Sequence, residues 1–122
     1  MKKCSKCPNE SQSNHKYCRS CQQSYDKRRY IIKKALRQEQ IRKNLIAVKA
    51  WMNQIKESTP CADCGEFFPA VVMEWDHLDP TTKTANVSDL VRQGLKQQAA
   101  REIKQCELVC ANHHRIRHLN RG

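Results

Sequence analysis

The sequence predicts a small α+β protein in three parts, held together by its cysteines rather than by a large apolar core. Only 39% of the 122 residues are hydrophobic and 6% are aromatic, too few for an extensive core in so short a chain. Eight cysteines occur, most of them in closely spaced pairs. A long stretch without glycine or proline separates two cysteine-containing regions. The predicted parts are residues 1–21, residues 22–57 and residues 58–122.

Residues 1–21 are predicted to form a zinc module. Two Cys-x2-Cys pairs are separated by ten residues. Each pair forms a tight turn, and four thiolates complete a tetrahedral zinc shell. His15 is an alternative to one of the cysteines. The expected ligands are Cys4, Cys7, Cys18 and Cys21.

Zinc accounts for the cysteines better than disulfides do. Disulfide-rich scaffolds belong to secreted proteins, whereas this sequence begins Met1-Lys2-Lys3-Cys4 without an apolar signal segment. It also has no apolar stretch of membrane-spanning length. We therefore expect reduced cysteines, bound zinc and a cytoplasmic protein.

Residues 22–57 are predicted to form a long helix that ends at Ser58-Thr59-Pro60. Apolar side chains recur along it at steps of four and three residues, so they share one face. Such a stripe is typical of a core face or of a seam with a partner helix, and a homodimer through it is one expectation. The stripe consists of Ile41, Leu45, Val48, Met52 and Ile55.

The positive charge is concentrated in the first half of the chain. The net charge is +11; residues 1–57 hold 15 basic and four acidic side chains, whereas residues 58–122 hold eight of each. This asymmetry predicts a nucleic-acid partner, although charge alone does not distinguish DNA from RNA. The expected DNA-binding side chains of the helix are Lys27, Arg28, Arg29, Lys33, Lys34 and Arg37.

Residues 58–122 are predicted to alternate short strands and helices. Asn86 or Ser88 is expected to cap the longer helix, which Gly94 weakens. The expected elements are a strand over residues 67–75, a loop over 79–83, a helix over 87–104, a strand over 107–109 and a helix over 112–119.

A second zinc set lies in this third part. Cys61 and Cys64 form another Cys-x2-Cys pair, and Cys110 with His113 offers two more ligands at the same spacing. Three cysteines and one histidine form an ordinary structural zinc shell. Cys106 competes for the fourth position, but its pairing with Cys110 requires the less usual Cys-x3-Cys spacing.

Four further residues are suited to a catalytic divalent ion. Asp76 offers a hard carboxylate, and His114 and His118 share one face of the last helix because they are four residues apart. His77 follows Asp76 directly, so the two side chains point to opposite sides of a strand. One of them can then bind a metal while the other faces a substrate.

The order of these motifs resembles the HNH endonuclease family in its zinc-ribbon form, the ββα-metal nucleases. The resemblance covers residues 61–118, and the segments Glu74–Asp79 and Cys106–Arg115 are similar to small phage-borne members. In that family a hairpin and a helix bind one catalytic metal. The resemblance implies a phage-encoded protein of the bacterial cytoplasm that hydrolyses DNA phosphodiester bonds, by nicking or by double-strand cleavage, with Mg²⁺ or Mn²⁺.

The resemblance also assigns roles to individual residues. It implies that Asp76 and His114 hold the catalytic metal, with His118 as the candidate for a third ligand, and that His77 is the general base. Arg115 and Arg117 flank the metal helix and are expected to contact neighbouring phosphates.

Two positions depart from the family pattern. His113 stands where the family usually has a cysteine. The central asparagine has no clear counterpart, and Gln105, Asn86 and Asn112 are the candidates. A non-catalytic, zinc-dependent DNA- or RNA-binding protein is the alternative, because charge and zinc sets fit that function equally well.

Overall fold

The computed structural model describes residues 3–11 and 15–121, which form two compact units that divide between Gln40 and Ile41. Short 3₁₀ turns lie at Ala70–Val72 and Pro80–Thr82. The helices are α1 (Arg19–Ser58), α2 (Val87–Arg92), α3 (Lys96–Ile103) and α4 (Ala111–Arg121), and the strands are β1 (Met73–His77) and β2 (Cys106–Cys110).

The long helix predicted over residues 22–57 is α1. It begins directly after Cys18 and ends at Ser58, whose hydroxyl donates hydrogen bonds to the carbonyl oxygens of Gln54 and Ile55 at 2.7 and 3.2 Å. Pro60 cannot continue the helix, because it lacks a backbone N–H. The sequence places the boundary between parts at this end of the helix, whereas the two compact units divide within it.

The two strands form one antiparallel sheet, followed at once by α4. Met73 lies opposite Cys110, and His77 lies opposite Cys106. The prediction of a small α+β protein with a long N-terminal helix is confirmed in this form. The predicted strand start at residue 67 is wrong: Pro69 and the 3₁₀ turn after it delay the extended backbone until Met73, and the strand continues to His77.

The single helix predicted over residues 87–104 is also wrong, since α2 and α3 separate at Gly94. Gly94 has a φ of +75°, which continues no right-handed helix. Its carbonyl oxygen accepts a hydrogen bond from Asn44 Nδ2 at 3.1 Å. Asn86 occupies the N-cap position of α2 but makes no side-chain capping bond, and Ser88 lies inside the helix.

The apolar core of the second unit has two parts. Around the sheet, Met73, Leu108 and Val109 pack with buried cysteines. Under α1, Met52 packs with Val87, Leu90 and Ala99. Trp75 contacts both parts.

The second half of the apolar stripe of α1 therefore belongs to this core. Val48 and Met52 are 2% and 3% exposed, whereas Ile41 is 53% exposed. A homodimer through the stripe stays a prediction, limited to the side chains that the unit itself leaves uncovered. None of the described helices combines the length and the apolar character needed to cross a bilayer.

Candidate metal centres and catalytic cleft

The N-terminal unit contains a four-cysteine cluster. Backbone N–H groups point at its sulfur atoms, from Lys6 to Cys4 and from Cys21 to Cys18, each at 3.5 Å. The backbone N–H of Cys18 is the main cause that lowers the pKa of the Cys4 thiol, to about 6. His15 is not part of the cluster. The ligand atoms of Cys4, Cys7, Cys18 and Cys21 all lie within 4.8 Å of one another.

A second cluster in the C-terminal unit joins Cys61, Cys64, Cys110 and His113 within the same distance. The Cys110 sulfur lies 3.1 Å from His113 Nδ1, and the backbone N–H of Cys110 donates to the Cys61 sulfur at 3.3 Å. Gly65, with a φ of +74°, closes the turn by donating to the Cys61 carbonyl oxygen at 2.8 Å.

The fourth position of this cluster falls to His113 and not to Cys106. The Cys106 thiol donates instead to the carbonyl oxygen of Glu102 at 3.3 Å. Burial raises the pKa of this thiol to about 11, so it stays protonated and is a poor metal ligand.

The electrostatics of the second cluster fit a bound cation. Burial raises the pKa of Cys61, but the backbone N–H groups of Cys110 and Cys64 among others outweigh it and lower the pKa to about 6. The backbone N–H of Glu66 lowers the pKa of Cys64, yet burial and the neighbouring Cys61 raise it overall. Metal binding requires deprotonated thiols, and a bound cation stabilises neighbouring thiolates together. Each of the eight cysteines is a free thiol, and both clusters could hold zinc.

A third group of possible metal ligands consists of Asp76, His114 and His118, again within 4.8 Å of one another. His114 Nε2 lies 3.5 Å from Asp76 Oδ1 and 3.1 Å from His118 Nε2. Asp76 is 3% exposed, whereas His118 is exposed. β1 and α4 thus bring together the carboxylate and the two imidazoles that the sequence singled out.

Glu74 orients one of these imidazoles. Its Oε2 lies 2.9 Å from His114 Nδ1, which leaves Nε2 of the ring turned toward Asp76. Carboxylates that bind the far nitrogen of a metal-ligating histidine fix its tautomer and raise its basicity. Sequence reasoning missed Glu74, but a local signal exists, because residues two apart on a strand share a face.

Two arginines of α4 hold Asp76. Arg121 donates to both carboxylate oxygens, at 2.6 and 2.9 Å, and Arg117 donates to one at 2.9 Å. The hydrogen bonds from Arg121 are the main cause that lowers the pKa of Asp76 to about 2. The carboxylate is therefore ionised, and both of its oxygens accept hydrogen bonds from guanidinium groups.

The two arginines predicted to contact phosphates lie in different surroundings. Arg117 also pairs with Asp63 at 2.6 Å and with Glu107 at 3.4 Å. The carboxylates of Asp63, Asp76 and Glu107 raise the pKa of its guanidinium group. It is therefore held in an ion-pair network, whereas Arg115 is exposed. Arg121, which sequence reasoning missed, lies directly beside Asp76.

A cleft of about 850 Å³ opens beside this group. His77 lines it together with the possible metal ligands. Its Nε2 lies 3.0 Å from Glu102 Oε1. Cationic side chains outnumber carboxylates in the lining, five to two. They are Lys49, Lys56, Lys83, Arg92 and Arg121, against Glu74 and Asp76.

The three candidates for the central asparagine lie in different places. Asn86 lines the cleft. Gln105 uses its backbone, since its carbonyl oxygen accepts from Leu78 at 3.1 Å just after β1. Asn112 is exposed on α4. None of the three is assigned that role by these contacts.

Comparisons with protein-family models, with curated proteins and with solved structures give no match for this chain.

Proposed function

We propose that this protein is a metal-dependent DNA endonuclease of the HNH type. The observation that carries the proposal is the convergence of Asp76, His114 and His118 in a cationic cleft that His77 also lines. These residues belong to an antiparallel strand pair followed by a helix, the arrangement that the resemblance implies.

The third ligand group suits a divalent cation. One ionised carboxylate and two imidazoles match the preferences of Mn²⁺ and related ions, and Mg²⁺ binds with fewer side chains and more water. Asp76, His114 and His118 would hold the ion, with Glu74 fixing the His114 ring. A cation there supplies stabilisation of the negative charge that develops on the leaving 3′ oxygen.

His77 is the proposed general base. It accepts a proton from water, whose oxygen forms a bond to phosphorus as the bond to the leaving sugar oxygen breaks. The leaving oxygen takes a proton from solvent. Because Asp76 and His77 project from opposite faces of β1, the base does not occupy the ligand group that holds the cation.

The charge distribution supports a nucleic-acid substrate. Lys49, Lys56 and Lys83 line the cleft near the ligand group. Lysine side chains at these positions offer ammonium groups to the phosphates of a bound strand. Burial lowers the pKa of Lys56, and the nearby carboxylate of Glu74 opposes that effect.

The decisive experiment is incubation of supercoiled plasmid with the full-length protein and Mg²⁺ or Mn²⁺. We expect nicked or linear product with the wild type and a rate at least about 100-fold lower with His77→Ala. Gln98→Ala, an exposed position of α3, is the matched control and should cut like the wild type. Cleavage by His77→Ala at the wild-type rate would show that His77 is not the base.

One observation favours a second candidate, a non-catalytic nucleic-acid-binding protein. All side chains from residue 23 to residue 40 of α1 are exposed, and the six predicted DNA-binding lysines and arginines are among them. A polyanion could bind there without any catalytic group. Tight DNA binding without cleavage under any divalent metal would establish this candidate instead.

A further inference from the structure

Glu102 is a buried carboxylate beside the proposed base. It lies on α3 and is 5% exposed. Its Oε1 lies 3.0 Å from Nε2 of His77 and accepts a hydrogen bond from the backbone N–H of Thr84 at 3.1 Å. Its Oε2 accepts a hydrogen bond from the Thr84 hydroxyl at 2.6 Å. Both oxygens are therefore held, and one of them faces the imidazole.

The protonation of this pair follows from its surroundings. The hydroxyl of Thr84, followed by its backbone N–H, lowers the pKa of Glu102 to about 2. Both oxygens of Glu102 accept hydrogen bonds from Thr84, so the carboxylate meets His77 as an acceptor and the ring donates to it from Nε2. Within the described part of the chain, Nδ1 of His77 has no hydrogen-bond partner. In the neutral ring, Nδ1 is then the atom that can accept a proton.

We propose that Glu102 is a positioning residue for His77, which it holds as the Nε2–H tautomer so that Nδ1 serves as the base in the cleft. This inference rests on the proposed endonuclease function. The physical logic is that of any buried carboxylate behind a catalytic histidine: it selects one tautomer, fixes the ring plane and stabilises the cation formed when the ring accepts a proton.

Thr84 extends this support to the rim of the cleft. It lies between Lys83 and Asn86, both of which line the cleft. Its two hydrogen bonds to Glu102 tie this loop to α3. The loop that carries cleft-lining groups is therefore fastened to the same carboxylate that orients the base.

The hydrogen bond between Glu102 of α3 and His77 of β1 would also form if Glu102 had a purely structural role. The test therefore measures a property that a purely structural role would leave unchanged. The tautomer of His77 is that property. Two-bond ¹H–¹⁵N correlations of the full-length, zinc-loaded protein, labelled at histidine nitrogens, distinguish protonated from unprotonated ring nitrogens. The His77 signals are identified by their absence in His77→Ala.

We expect the neutral wild-type ring to be protonated at Nε2. Glu102→Gln should keep this tautomer, because an amide oxygen can accept the same bond, whereas Glu102→Ala should give a mixture. In plasmid cleavage, Glu102→Ala should lower kcat by about 10- to 100-fold with KM unchanged, and Glu102→Gln should restore part of the loss. Glu57→Gln removes an exposed carboxylate of α1 and should match the wild type.

The outcomes separate this inference from the proposed function. If the wild type cuts DNA and Glu102→Ala has the same kcat, only the positioning role is overturned. A wild-type ring protonated at Nδ1 overturns that role as well, whatever the activity. A wild type that never cuts overturns the proposed function and the catalytic role of Glu102 with it. If Glu102→Ala fails to fold, the kcat values of Glu102→Gln and Thr84→Val decide: a wild-type kcat in both variants overturns the role.

Discussion

Asp76 and His77 are neighbours in β1, yet they contact different helices. Asp76 forms ion pairs with arginines of α4, and His77 hydrogen-bonds to Glu102 of α3. Alternation of side chains along a strand predicts this separation from the sequence alone. The spacing of four residues between histidines predicts a shared helical face in the same way. Local periodicity was therefore sufficient to predict these two relationships between side chains.

The carboxylates of Glu74 and Glu102 reach their histidines through contacts between positions distant in the chain. Glu74 and His114 are 40 positions apart in the chain, and Glu102 and His77 are 25 apart. Only the register of β1 against β2 and the break before α3 bring them together. Such pairings cannot be read from one sequence, because the chain contains many carboxylates and no local pattern shows which of them lies beside a given histidine.

At the residue scale, Glu74 offers a direct test of the third metal group. In Glu74→Ala, the His114 ring loses the bond that leaves Nε2 turned toward Asp76. We expect Mn²⁺ affinity to fall by about 10- to 100-fold, measured by titration calorimetry of the zinc-loaded, full-length protein. Glu74→Gln should lose less, because its amide oxygen can accept the same hydrogen bond.

Two comparisons make that result specific. His77→Ala should bind Mn²⁺ as the wild type does, because His77 is outside the ligand group. Asp76→Asn should lose Mn²⁺ binding outright. Equal Mn²⁺ affinity in Glu74→Ala and the wild type would show that Glu74 does not support a metal site.

At the scale of elements, the helices and strands follow the sequence wherever side-chain periodicity is unbroken. α1 was predictable because neither glycine nor proline interrupts residues 22–57. Errors arose at Pro69 and Gly94, where a single residue redirects the backbone. Gly94 also contacts Asn44, 50 positions away, and no local pattern indicates that contact.

Gly94 carries the prediction at this scale. A Cβ at Gly94 would lie 2.7 Å from Asn44 Nδ2, so Asn44 must move and lose its hydrogen bond to the Gly94 carbonyl oxygen. The positive φ adds roughly 1–2 kcal/mol of strain for any L side chain. Gly94→Ala should therefore lower the free energy of unfolding by about 2–3 kcal/mol, measured by urea denaturation with tryptophan fluorescence.

Gly65 is the matched control. Its φ of +74° is nearly the same, but a Cβ there would meet nothing within 4 Å. Gly65→Ala should therefore cost only the backbone strain. Equal losses of stability in the two variants would mean that the contact between Gly94 and Asn44 contributes nothing to the fold.

At the scale of the whole molecule, each compact unit has a cysteine cluster of its own. Cys4 and its partners belong to the first unit, and the cluster that contains Cys61 belongs to the second. The buried apolar side chains are few, as the composition implied. Zinc bound in each cluster would supply the stability that so small a core lacks.

The composition of the sequence did not predict where the second unit begins. Pro60 and the change in charge both suggested a boundary near residue 58. Met52 packs instead with Val87, Leu90 and Ala99, so the second half of α1 is part of this unit. Helix periodicity identified the stripe but could not say which surface would cover it.

Two truncated chains test this organisation. Residues 41–122 should fold, retain one zinc equivalent and keep metal-dependent cleavage, because the core and the cleft lie within them. Residues 58–122 should fail to fold, because loss of Met52 exposes Leu90 and Trp75 and leaves a core too small for stability. Circular dichroism, zinc analysis and plasmid cleavage measure these outcomes.

The same fragments test the basic half of α1. Residues 41–122 lack the six lysines and arginines between residues 27 and 37, so their DNA affinity should be lower and less dependent on salt than that of the full chain. Each lost phosphate contact should reduce the slope of log affinity against log salt by about 0.9. An unchanged slope would show that these side chains do not face DNA. A stable, zinc-loaded fragment of residues 58–122 would show that α1 is dispensable for the second unit.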